Sequence, residues 1–65
     1  MMYRYRAVLD YLHKAKKFVT ANEVAMALGM SWNTAKKDLA MLSKEGYVVK
    51  GGSSSRTRFR FNFGR

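Results

Sequence analysis

The sequence has no cysteine, no proline, a single histidine and only four acidic residues. Without cysteine, neither a disulfide nor a thiolate zinc site can hold the chain together, and His13 cannot build a metal site alone. No run of apolar residues approaches the roughly 20 that a membrane span needs. The opening Met1-Met2-Tyr3-Arg4-Tyr5-Arg6 lacks the apolar run and small-residue cleavage site of a secretory signal, so a cytoplasmic chain is expected. Sixty-five residues leave room for one domain. A chain this short hides only about 60% of its unfolded surface. A dedicated substrate cavity would therefore compete with the core for the same few side chains. Asp10, Glu23, Asp38 and Glu45 are scattered among capping and surface positions, with no two spaced as a catalytic pair. Neither an enzyme, a cofactor, a bound metal nor a small-molecule ligand is expected.

What is abundant is positive charge. Thirteen Lys and Arg against four Asp and Glu leave +9 on a chain that is 48% apolar and 26% charged. That density calls for a polyanionic partner, nucleic acid before an anionic membrane surface. Residues 1–19 hold five positive charges and one negative, residues 20–45 three of each, and residues 46–65 five positive and none negative. Both basic ends are interleaved with aromatics, which a disordered basic tail would not be.

Periodicity divides the chain. Val8, Tyr11, Leu12 and Ala15 make one apolar stripe in a helix from about Tyr3 to Lys16, with Arg4, Arg6, Asp10, Lys14 and Lys17 on other faces. His13 reads as a solvated residue of this helix. Phe18-Val19 breaks the pattern and suits a very short strand. Thr20-Ala21-Asn22-Glu23 is a capping box, opening a second helix over about 21–28 that buries Ala21, Val24, Ala25 and Leu28 and stops at Gly29. Ser31 caps a third helix over about 32–45, with Trp32, Ala35, Leu39 and Leu42 on one side and Asn33, Lys37, Ala40 and Lys44 opposite. Gly46 ends it. The period then falls to 2 across about 47–63, where Tyr47-Val48-Val49-Lys50 and Arg56 to Phe63 form a hairpin joined by Gly51-Gly52-Ser53-Ser54-Ser55. In its second strand Thr57, Phe59, Phe61 and Phe63 share one face, while Arg56, Arg58, Arg60 and Asn62 share the other.

Two helices joined by a glycine turn and followed by a basic hairpin give the order of a winged helix-turn-helix, an α+β fold. Ala25 followed four residues later by Gly29 resembles the helix-turn-helix of bacterial and archaeal regulators. Ser31-Trp32-Asn33-Thr34-Ala35-Lys36-Lys37-Asp38-Leu39, then Leu42 and Gly46-Tyr47-Val48, is similar to winged-helix repressors of the DeoR type. Their pattern runs Ser, two variable residues, Thr, an aliphatic, two basic residues, Asp and Leu. The resemblance spans about residues 18–63. Ala35 departs from it, standing where a larger aliphatic is usual, with Trp32 or Phe61 as candidates to fill the space. The resemblance implies a small transcriptional regulator that binds duplex DNA.

The chemistry of DNA reading selects the same residues. A recognition helix enters the major groove by its first turns. There Asn33 can address adenine through its amide, and Lys37 can donate to guanine O6 or N7. Ser31, Thr34 and Lys36 are placed for phosphates, assisted by the helix N-terminus. Arg56, Arg58 and Arg60 alternate onto one side of the hairpin, where they can meet phosphates or enter a narrow minor groove. Each set also has a plainer reading, as a solvated helix face and as an edge kept soluble by charge.

Other assignments compete. Phe59, Phe61 and Phe63 could stack single-stranded bases, although a chain this small needs them as core. Trp32 reads as a helix–sheet packing residue, with a wedge at the groove edge as its alternative. Tyr3, Tyr5 and Tyr11 pack helix one, or form a homodimer seam if that helix lies open. The same fold also serves RNA or single-strand binding and protein–protein contact within larger assemblies.

Overall fold

The computed structural model describes residues 2–52 and 57–64, with side chains from residue 5 onward. Its elements are α1 (Met2–Ala15), α2 (Ala21–Leu28), α3 (Trp32–Lys44), β1 (Val48–Gly51) and β2 (Arg58–Phe61). Three helices followed by an antiparallel hairpin make the winged helix-turn-helix that the residue pattern implies. Tyr3, Ser53 to Ser55 and Arg56 carry expectations that lie outside the described side chains.

Local chemistry sets the boundaries. α1 ends one residue before the expected limit because Lys16 turns into the left-handed region, at φ 55°, while its N–H still donates to the Leu12 carbonyl. The Thr20 hydroxyl accepts from the Glu23 N–H at 3.1 Å, and the Glu23 carboxylate accepts from the Thr20 N–H at 2.9 Å, which completes the capping box of α2. Gly29 closes α2 at φ 67°, and the Met30 N–H then reaches the Ala25 carbonyl. α3 ends at Lys44, one residue short of the expected limit, in a Schellman closure around Gly46 at φ 87°. The Tyr47 N–H donates to the Leu42 carbonyl there, and the Gly46 N–H to that of Ser43.

β1 and β2 pair with Val48 opposite Phe61 and Lys50 opposite Phe59. Val19 adds a single bridge to the free side of β2, its N–H and carbonyl each 2.8 Å from their Phe59 partners. The short strand suggested by Phe18-Val19 is this one-residue bridge. The core gathers Val8, Leu12, Val19, Val24, Ala25, Ala35, Leu39, Leu42, Val48 and Phe59, with α2 against α3, α1 against β2 and α3 against β1. Tyr5, Tyr11 and Leu28 are partly buried against it. Leu28 is thus less enclosed than its place in the stripe suggests, because it lies in the last turn of α2.

Three expectations need correction. Trp32 is 49% exposed rather than packed with Ala35 and Leu39. It is the first residue of α3, and a helical side chain leans toward the helix N-terminus, which here carries the indole past the edge of the core. Asp38, expected at the surface, is 1% exposed. It follows Ala35 by three positions and precedes Leu42 by four, so the apolar stripe of α3 runs through it. Phe63 lies beyond the end of β2 and is half exposed, whereas Phe59 is buried. His13 is exposed, as expected, and also borders two aromatics. Its ring lies 5.0 Å from Phe61, edge to face, and 5.4 Å from Phe63. Phe59 is in the core, while the Phe61 and Phe63 rings lie 4.9 Å apart beside His13.

Candidate nucleic-acid interface

α3 presents the residues that a reader of DNA requires. Ala35, Asp38, Leu39 and Leu42 point inward, and that fixes Asn33, Lys36, Lys37 and Lys44 outward by the helical period. Asn33 and Lys37 are both exposed and four residues apart, so they lie on one side of the first turns. Ser31 spends its oxygen on the helix, accepting from the Thr34 N–H at 3.2 Å and donating to the Thr34 hydroxyl at 2.9 Å. The Thr34 hydroxyl proton stays available to an outside acceptor, and Thr34 itself is half-buried. Lys36 holds its ammonium 4.7 Å from the centre of the Trp32 ring, one turn along the helix.

The wing carries its charge on the outer face of the sheet. Arg58 lies opposite Gly51 and Arg60 opposite Val49, which puts both on the face away from Phe59. Their surroundings differ. Arg58 is exposed, but Arg60 is half-buried, with its guanidinium 5.2 Å from the centre of the Phe18 ring. Its Nε is buried with no hydrogen-bond partner among the described residues. Arg60 is thus a braced charge rather than the open one that strand alternation suggested. Arg56 lies outside the described residues.

Lys17 joins the basic surface without having been singled out from sequence. The Glu23 carboxyl is held below the ordinary carboxylate range chiefly by the Thr20 N–H that donates to it. Slight burial opposes this, while the Thr20 hydroxyl and the charges of Lys17 and Arg58 add to it. Both cations therefore act at the start of α2. The signal in the sequence was adjacency, since Lys17 stands three residues before the capping Thr20. Among the described residues no group of three or more His, Asp or Glu could hold a metal ion.

A helix-turn-helix whose exposed helix carries amide and ammonium groups, flanked by an arginine-bearing hairpin, defines a DNA-binding domain of the winged class. The chain belongs to the DeoR-like helix-turn-helix domain family, whose model matches residues 4–58. Such a domain binds DNA in transcription regulation and is regulatory rather than catalytic. The match begins within α1, earlier than the part carrying the sequence resemblance, and runs to the start of β2. No curated protein and no solved structure gives a significant match.

Proposed function

We propose that this chain binds duplex DNA sequence-specifically as a small transcriptional regulator inside the cell, with α3 in the major groove and the wing on backbone or minor groove. The observation that carries the reading is the exposed pair Asn33 and Lys37 on the first turns of a helix that buries Ala35, Asp38, Leu39 and Leu42 on its other side. Asn33 addresses adenine and Lys37 guanine, while Thr34, Lys36, Arg56, Arg58 and Arg60 meet phosphates. Ser31 contributes by capping α3, which aims the helix N-terminus at the backbone.

Selection of preferred duplexes from a randomised library tests this reading. Asn33→Ala and Lys37→Ala should each cut the ratio of specific to nonspecific affinity by roughly five- to a hundredfold at one base position, the worth of a bidentate contact. Lys44→Ala, about two turns further along, should leave base preference intact. Both variants retaining the wild-type profile would sink the assignment. With roughly 4–6 phosphates neutralised, log K should fall against log salt with a slope of about −4 to −5. A slope near −1 would show that the charge does not meet the DNA backbone. The selected site also reads the oligomeric state, since a dimer of such domains demands half-sites about 10 base pairs apart.

A further inference from the structure

Trp32 is the one tryptophan of the chain, and it stands at the leading position of α3 with half of its surface in solvent. The Lys36 ammonium lies 4.7 Å from the ring centre, and Asn33 is the next residue in the helix. An indole with an ammonium over its ring is poorly suited to an apolar protein partner. It is well suited to a polyanion that also offers an apolar group. The major groove has one such group, because the edges of guanine, adenine and cytosine are polar there and only thymine presents a methyl.

We infer that Trp32 is a specificity-determining residue, packing its ring against the 5-methyl group of a thymine beside the base pairs read by Asn33 and Lys37. The inference rests on the duplex reading proposed above. Lys36 completes the device. Drawn over the indole, its ammonium stays at the side of the helix, where it meets a phosphate while the ring faces the base edge. The pair thus divides its work: the ring discriminates, and the cation adds affinity for any sequence.

Deoxyuridine differs from thymidine by that methyl group alone, so the test needs no change in the protein. Each thymine of the duplex selected from the randomised library is replaced in turn by deoxyuridine, and wild-type affinity is measured. One replacement, next to the positions assigned to Asn33 and Lys37, should weaken binding about fourfold, the value of burying a methyl-sized group. Trp32→Ala should bind the thymine and deoxyuridine duplexes equally at that position, and Trp32→Phe should keep part of the difference. Lys36→Gln should weaken every duplex alike and leave the thymine preference in place. Emission from Trp32 should change on binding and change less with the deoxyuridine duplex. A wild-type protein indifferent to every replacement overturns the inference, as does a Trp32→Ala variant that keeps the methyl preference. Both results leave the duplex reading standing. Failure to enrich any duplex at all overturns the two together.

Discussion

The recognition helix and the wing both carry cations on faces that a simple period assigns, yet the two faces turn out differently. Along α3 the period holds from Asn33 onward: Ala35, Leu39 and Leu42 are buried, and Asn33, Lys36, Lys37 and Lys44 are exposed. Along β2 the period puts Arg58 and Arg60 on the same side, yet one is open and the other half-buried. The difference comes from Phe18, in the connection between α1 and α2, whose ring lies over the outer face of the hairpin. It lies so close that a Cβ on Gly51 would sit 2.8 Å from it. A helix docked by one stripe leaves the rest of its surface to water. A two-stranded sheet has a second broad face, and whatever distant segment crosses it decides what is exposed there.

The two faces of α3 can be set against each other first. Leu39→Ala should cost about 2–5 kcal/mol in urea denaturation, a large share of what a domain this small can hold. Lys37→Ala should change stability by no more than about 0.5 kcal/mol while altering base preference. A comparable loss from both would mean that the inward and outward sides of α3 are wrongly drawn. Removing a cap comes next: Thr20→Ala should cost about 1 kcal/mol, because the Glu23 N–H loses its acceptor at the start of α2.

Smaller effects separate the wing's two arginines. Arg60→Ala and Phe18→Ala should each lose about 0.5–1 kcal/mol, and a double-mutant cycle should show that the losses overlap. Arg58→Ala should leave stability unchanged. On DNA the two arginine variants should act alike, weakening all sequences and flattening the salt slope by roughly one unit each. A stability loss from Arg58→Ala equal to that from Arg60→Ala would remove the distinction that Phe18 makes.

The smallest expected effect is in pH. Folding lowers the Glu23 pKa, so its carboxylate stabilises the fold above the ordinary carboxylate range. That contribution fades as pH falls through this range toward the folded value. Glu23 is largely open to solvent, so the change should be slight and partly screened by salt. Glu23→Gln should lower the melting temperature slightly near neutral pH and leave it nearly unchanged in acid, which flattens the acid limb. An unchanged acid limb would show that the capping carboxylate carries no weight.

Much of the interface could be read from the residues because its causes are local. The capping box at Thr20, the N-cap at Ser31 and the turns at Gly29 and Gly46 rest on bonds between residues three to five positions apart. Asn33 and Lys37 face outward because Ala35, Leu39 and Leu42 face inward on the same short helix. Asp38 was legible in principle, since it lies on the apolar stripe of α3, but its charge argued for the surface. Helix order, caps, the hairpin and the basic balance of the ends were thus determined by the sequence itself. Which aromatic or cation sits in the open was left to tertiary structure. Trp32 reaches solvent because it opens α3, whose buried stripe begins three residues later at Ala35. Phe18 covers Arg60 because the bridge at Val19 fastens that connection to β2, and His13 meets Phe61 and Phe63 because α1 crosses the same strand. Periodicity gives the direction in which a side chain leaves its own element. Only the packing of elements distant in sequence decides what it finds there.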